Sequence, residues 1–160
     1  MTEAFNKRAF LAEIEVEAGF ARRHGQALSV MLFDVDHFKR VNDTYGHQGG
    51  DLVLRRVSKA VTETKRKEDI FARFGGEEFV LLLRNTHLEE AFIVGERIRR
   101  AVEQLEVIHN GRRIPCTVSV GVATLQGEDM SHSELIERAD DRLYMAKRKG
   151  RNRTESALFD

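Results

Sequence analysis

Phe10, Ile14, Ala18 and Ala21 recur every three or four residues, the spacing of one helical face. They predict an amphipathic helix that ends in the basic stretch Arg22-Arg23-His24-Gly25. The run Leu28-Ser29-Val30-Met31-Leu32-Phe33 is apolar almost throughout instead of alternating, which predicts a strand over about residues 28–34 buried on both faces. A short helix near 37–43, a polar turn from Asn42 to Gly50, and a helix starting near Gly50 with Leu54, Val57 and Val61 as its core stripe come next. Ile70-Phe71-Ala72-Arg73-Phe74 and Phe79-Val80-Leu81-Leu82-Leu83 predict two strands joined at Gly75-Gly76-Glu77-Glu78, a hairpin signal because glycine reaches positive φ without a Cβ penalty. Leu88, Ala91, Phe92, Ile98, Val102 and Leu105 mark a helix over about 88–105, and Asn110-Gly111 signals a small hairpin within residues 107–114. Val118, Val120 and Val122 alternate along a further core strand, and Leu135, Ala139, Leu143 and Ala146 line a last helix that closes on Gly150. A short strand near 155–159 ends the pattern. Hairpin strands mixed with helices predict an α+β fold, a central and mostly antiparallel sheet of about five strands flanked by helices.

At 160 residues, 41% hydrophobic and 32% charged, the chain has ordinary globular chemistry, and a single domain over 1–160 is the expectation. The formal charge is zero, so nothing draws the whole molecule to nucleic acid or to an anionic membrane. Any phosphate binding has to be local. Cys116 has no second cysteine to pair with and reads as a packed small residue in a reducing compartment. No apolar run approaches the roughly 18–20 residues of a membrane span, and the N-terminus lacks a signal-peptide stretch. The expectation is a cytoplasmic domain without membrane contact.

The candidate chemistry lies in acids at strand ends. Glu77 and Glu78 sit side by side at the hairpin tip, and two carboxylates ~4 Å apart repel by roughly 4 kcal/mol at an effective dielectric near 20. The apolar strand before them in sequence ends abruptly in Asp34-Val35-Asp36. If the hairpin pairs beside that strand, Asp34, Glu77 and Glu78 converge into an all-oxygen cluster, the ligand set that Mg²⁺ or Mn²⁺ prefers when it also carries substrate phosphates. Taken singly, each motif has a plainer reading: an acid at a strand end is a solvated loop residue, and a Gly-Gly-Glu-Glu turn is an ordinary hairpin.

Together the motifs resemble the GGDEF family of diguanylate cyclases, bacterial enzymes that condense two GTP into cyclic di-GMP, and the resemblance covers nearly the whole chain. Residues 33–43, Phe-Asp-Val-Asp-His-Phe-Lys-Arg-Val-Asn-Asp, resemble the family's metal-and-phosphate motif, and residues 45–51, Tyr-Gly-His-Gln-Gly-Gly-Asp, its guanine motif. Gly75-Gly76-Glu77-Glu78-Phe79 is the signature in its all-Glu form, and residues 139–152 resemble the C-terminal motif. The start departs from the family. Where members carry a Leu-Thr-Gly-Leu element before an Asn-Arg pair, Met1 to Lys7 keep only Thr2 and Asn6, which leads us to expect a truncated first motif and an upstream regulatory segment outside this sequence.

The resemblance implies a palm architecture like that of nucleotidyl cyclases and a role for each matching residue. Asp34, the Val35 carbonyl, Glu77 and Glu78 would hold Mg²⁺, with Mn²⁺ as the alternative. Glu77 would also receive the proton of the attacking 3′-hydroxyl. Lys39, also placed in the catalytic set, and Lys147 with Arg151 would take the triphosphate, at a place where Lys39 shares a helix start with free amides. Phe38, Asn42, His47 and Asp51 would line the nucleotide site. Asp51 accepts from guanine N1–H and N2–H while the Asn42 amide donates to O6, a pairing that adenine cannot satisfy. For His47, bracing the loop and touching the base are equal readings.

Arg66-Lys67-Glu68-Asp69 ends six residues before Gly75, the spacing of the family's Arg-x-x-Asp product-inhibition motif, and Arg97 resembles an additional arginine of that site. Spacing alone would make Arg66 and Asp69 an i,i+3 surface ion pair worth ~0.2–0.5 kcal/mol. The resemblance instead implies a site for cyclic di-GMP, with the Arg fork on guanine O6 and N7. GTP as substrate, cyclic di-GMP as product and inhibitor, and a second copy of the domain as catalytic partner are the implied partners. Two rivals remain open: a catalytically silent cyclic di-GMP receptor, and a cyclase acting on a single nucleotide.

Overall fold

The computed structural model describes residues 5–160; Thr2, and with it most of the departing first motif, lies outside them. The elements run β1 (Phe5–Asn6), α1 (Lys7–His24), β2 (Leu28–Val35), α2 (Phe38–Thr64), β3 (Ile70–Gly75), β4 (Glu78–Arg84), α3 (Leu88–Glu103), β5 (Val107–His109), β6 (Arg112–Ile114), β7 (Val118–Thr124), α4 (His132–Arg148) and β8 (Thr154–Glu155), then a 3₁₀ turn over Ala157–Phe159. One sheet has the order β1-β3-β4-β2-β7-β8, and β5-β6 form a separate ribbon. Its four inner strands are antiparallel, while the two-residue strands β1 and β8 pair in parallel at the edges. The sheet thus has six strands where about five were expected, because two-residue pairings leave no hydrophobic pattern to read.

Every residue of β2 is buried, as its unbroken apolar run requires. Alternation divides its side chains between two cores: Met31, Phe33 and Val35 pack with α2 and α3, whereas Val30 and Leu32 pack with α1 and α4. On the first side Phe33 stacks on Phe79 with centroids 5.5 Å apart and on Phe71 at 6.3 Å. Such pairs add ~0.5–1.5 kcal/mol each beyond their buried area. On the second side α4 lies so close to β7 that a Cβ on Gly121 would sit 2.2 Å from both the Ala139 carbonyl oxygen and the Leu143 nitrogen.

Three expectations are corrected. The polar turn from Asn42 to Gly50 is helical: α2 runs through it, broken only at Gly46, whose φ of 78° and ψ of 169° no helix accommodates. The short helical run before the break buries Val41, the long one after it buries Gly49 and Gly50, and that packing overrides the polar composition. The strand near 155–159 is instead β8 followed by the 3₁₀ turn. At the hairpin tip neither Gly75 nor Gly76 has positive φ; Gly76 and Glu77 make the turn between the paired Gly75 and Glu78, and the register shifts just before it, between Arg73 and Gly75. The Arg73 Nε donates to the Gly76 carbonyl at 2.9 Å and holds the tip in shape.

Candidate active site at the open end of the sheet

Alternation along β2 continues past its apolar stretch, so Asp34 falls on the α1/α4 face. It stands directly opposite Glu78 in the β2–β4 register, and the Val35 N–H donates to the Glu77 carbonyl at 3.3 Å. The hairpin therefore pairs beside β2, the condition under which the acids were expected to converge. From the same face α4 brings Lys147, whose Nζ makes an ion pair with the Asp34 Oδ2, 113 residues away in sequence. Asp34 is 8% exposed, and its Oδ1 is buried without a hydrogen-bond partner.

Burial raises the Asp34 pKa above its ordinary value; Lys147 opposes the rise, and Glu77 and Asp140 add to it. Glu78 is likewise raised, first by burial and then by the charges of Asp34 and Asp140. Among the described residues no three His, Cys, Asp or Glu side chains gather closely enough to hold a metal. The three acids are arranged as a backbone-registered pair, Asp34 and Glu78, with Glu77 at the tip and Lys147 supplying counter-charge to Asp34. Like charges spread where the ammonium groups of Lys147 and, at Glu78, Lys7 offset them only in part. The donors still suit a hard divalent ion, since they are oxygen only and include the orphaned Asp34 Oδ1.

The other layer contributes the start of α2. Its N-cap, His37, has φ 53° and makes no side-chain cap bond, so the first amides of the helix meet no side-chain acceptor there. Lys39 is exposed beside them. Two turns on, the chain returns against this helix. A Cβ on Gly50 would lie 1.9 Å from the Asn42 Oδ1 and 3.1 Å from the Phe38 ring, so only a glycine lets Phe38 and Asn42 pack onto the backbone just before exposed Asp51. Phe38 and Asn42 are thereby packed on Gly50, the residue before Asp51, and His47 is exposed between the Gly46 break and Gly50. Arg151 follows α4 in a turn where it and Asn152 both have positive φ, 64° and 46°.

A separate cavity of about 230 Å³ is lined by Arg66, Asp69 and Arg97 together with Thr64, Thr86, Glu90, Ile93 and Val94. Asp69 is 4% exposed whereas Arg66 is exposed, and the two form the i,i+3 ion pair that their spacing predicts, with its acid buried. Its carboxylate accepts the Arg66 N–H at 2.9 Å and the Arg66 Nη2 at 3.3 Å, and the guanidinium also reaches the Thr86 hydroxyl. Pattern reading assigned no role to Thr86, Arg73, Asp36 or Asp140; the interactions of Thr86, Asp36 and Asp140 span long stretches of chain, whereas that of Arg73 is local to the hairpin tip. Cys116 is buried, and burial pushes its thiol up to about 11, as a packed small residue would be.

A family model described as "Diguanylate cyclase, GGDEF domain" matches residues 1–153. Diguanylate cyclase A of Treponema denticola is 44% identical over 128 residues, 80% of this chain and 34% of that protein. Diguanylate cyclase DosC of Escherichia coli K12 is 40% identical over 156 residues, 97% of this chain and again 34% of the relative. The chain thus spans about a third of the length of these relatives. Among solved structures, the GGDEF domain of DgcB from Caulobacter crescentus in complex with c-di-GMP superposes with a TM-score of 0.91 at 33% identity, covering 96% of this chain and 91% of that one.

Proposed function

The chain belongs to the GGDEF domain family, and from that membership we propose that it is a diguanylate cyclase domain condensing two GTP into cyclic di-GMP and two pyrophosphates. The observation that carries the reading is the pairing of Asp34 with Glu78 across β2 and β4, with Lys147 docked on it. Residues from three separate motifs meet at one strand end. A silent receptor of cyclic di-GMP would have no use for that arrangement.

In each half-reaction the 3′-oxygen of one GTP bonds to the α-phosphorus of the other, the bond to pyrophosphate breaks, and the hydroxyl proton departs. Asp34, the Val35 carbonyl, Glu77 and Glu78 would hold Mg²⁺, or Mn²⁺ in its place, which when bound neutralises charge on the phosphoryl and attacking oxygens. Glu77, at the hairpin tip, takes the proton leaving the 3′-hydroxyl. Lys147, Arg151 and Lys39, with the uncapped amides of α2, hold the triphosphate and its developing charge. Asp51 and Asn42 read guanine, and Phe38 backs them. For His47, exposed like Asp51 and four residues before it, bracing the loop and touching the base stay equal readings.

Because one copy offers one such half-site, two copies facing each other complete the reaction. The cavity of Arg66, Asp69 and Arg97 is read as the product-inhibition site, in line with the relative solved with c-di-GMP. Incubation with GTP and Mg²⁺ followed by chromatography tests the reading. Cyclic di-GMP with one pyrophosphate released per GTP is expected; a product cyclised within one nucleotide, or binding of cyclic di-GMP without turnover, would establish one of the rivals.

A further inference from the structure

Asp36 is a buried acid, 7% exposed, that the chemistry above leaves without a task. Its carboxylate accepts three hydrogen bonds, from the Ser119 hydroxyl at 2.6 Å, the Thr117 hydroxyl at 2.7 Å and the Asn152 backbone N–H at 3.0 Å. Its own N–H donates to the Thr117 carbonyl at 2.9 Å. None of the three donors is charged, so Asp36 is not held for ion pairing. It fastens the end of β2 to β7 and, through Asn152, to the turn that leaves α4.

That turn is costly to maintain. Gly150, Arg151 and Asn152 have φ of 119°, 64° and 46°, a run of positive values in which only the first residue is a glycine. Non-glycine residues rarely adopt this region, and they persist there only where surrounding bonds over-determine them. The bonds are identifiable here. Asn152 donates its N–H to Asp36, receives Arg99 Nη1 on its Oδ1 at 3.0 Å, and donates its Nδ2 to Glu103 at 2.5 Å; Arg151 N–H reaches back to the Ala146 carbonyl at 2.9 Å. Of these, the Asp36 bond alone connects the turn to the strand that carries Asp34.

We propose that Asp36 is a positioning residue that, by accepting the Asn152 N–H, holds the left-handed turn in register with β2 and so aims Arg151 at the triphosphate. The proposal rests on the reading of Arg151 as a triphosphate ligand. It adds that the arginine is positioned from the β2 side, by a residue two places beyond Asp34, so that cation ligand and phosphate ligand share one rigid support.

The test measures dissociation constants for GTP and for guanosine, each with Mg²⁺, in the wild-type chain, Asp36→Ala, Asp36→Asn, Arg151→Ala and the double variant Asp36→Ala/Arg151→Ala. Asp36→Ala should weaken GTP about tenfold and guanosine less than about threefold, because only the phosphate end loses its partner. Asp36→Asn keeps an acceptor for the Asn152 N–H and should recover most of the loss. In the Arg151→Ala background, Asp36→Ala should cost less than about threefold more, since a residue acting through Arg151 has nothing left to aim. Equal losses for GTP and guanosine, or additive losses in the double variant, overturn the proposal in favour of a general structural role. Should Asp36→Ala unfold, Asp36→Asn decides: a folded protein about tenfold weaker for GTP overturns it, and one near wild type supports it. A wild-type chain that binds neither ligand sinks the cyclase reading instead; hydrogen exchange at the Asn152 amide then decides the positional claim, faster exchange in Asp36→Ala than in Asp36→Asn supporting it and equal exchange overturning it.

Discussion

Asp34 faces Glu78 across the strand pair, shares one oxygen with Lys147 and leaves the other buried and unpaired. Because Glu78 is the acid in register with it, removing the Glu78 charge at constant shape should cost the reaction most of its preorganised field. Glu78→Gln is expected to lower turnover by at least ~10²-fold, checked by cyclic di-GMP formation at saturating GTP. The raised pKa values of Asp34 and Glu78 carry a second expectation. A carboxyl held above its ordinary pKa disfavours the fold at neutral pH in ion-free protein, and this cost fades as pH falls through the raised value, where the folded state binds the extra proton. A cation must displace that proton to bind, so the rise in melting temperature given by Mg²⁺ should be clear near about pH 8 and shrink toward about pH 5. An equal rise at both would mean that these two carboxyls do not hold the ion. The acids themselves could be read from their strand ends. Lys147 as their neighbour rested on family resemblance, and Asp36 escaped notice because its partners Thr117 and Ser119 lie more than eighty residues away.

The close seat of α4 on β7 sets the distance between Lys147 and Asp34. A side chain at Gly121 would meet helix backbone, the Ala139 carbonyl and the Leu143 amide, neither of which can rotate away. Gly121→Ala should therefore destabilise the chain by about 3 kcal/mol or more, at the upper end of overpacking costs, read from the urea midpoint. Any folded remainder should bind GTP poorly, because the helix carrying Lys147 is lifted. Periodicity revealed α4, α1, α3 and the inner strands within a few residues, since each has one face committed to a core. It misplaced the middle of α2, where Gly46 and a string of polar residues look like a loop and only the docking of Gly49 against Ile114 and His109 and of Gly50 against Phe38 and Asn42 makes them helical. Asn42 and Asp51, the residues proposed to read guanine, border that stretch.

At the scale of the molecule, the cavity of Arg66, Asp69 and Arg97 opens away from the acids of the strand ends, so that inhibition there requires coupling between two different surfaces. Arg66→Ala should raise the concentration of cyclic di-GMP needed for half-inhibition at least ~10-fold, each protein being compared with its own uninhibited rate. The specific rate should also climb with protein concentration, as two facing copies demand; a rate flat down to monomeric dilution refutes the pairing. The cavity proposed for product inhibition was visible in sequence only as a spacing, and the burial of Asp69 beside an exposed Arg66 is what the structure adds. The edges of the sheet have a different consequence. β1 covers Ala72 and Arg73 of β3, and β8 covers Val120 and Gly121 of β7, so two strands of two residues shield the backbone of a sheet whose interior strands are apolar on both faces. An uncovered strand of that kind is a template for another chain. A protein shortened through Asn6 should accordingly keep its cores yet grow into large particles on standing, detectable by light scattering at concentrations where the full chain stays dispersed.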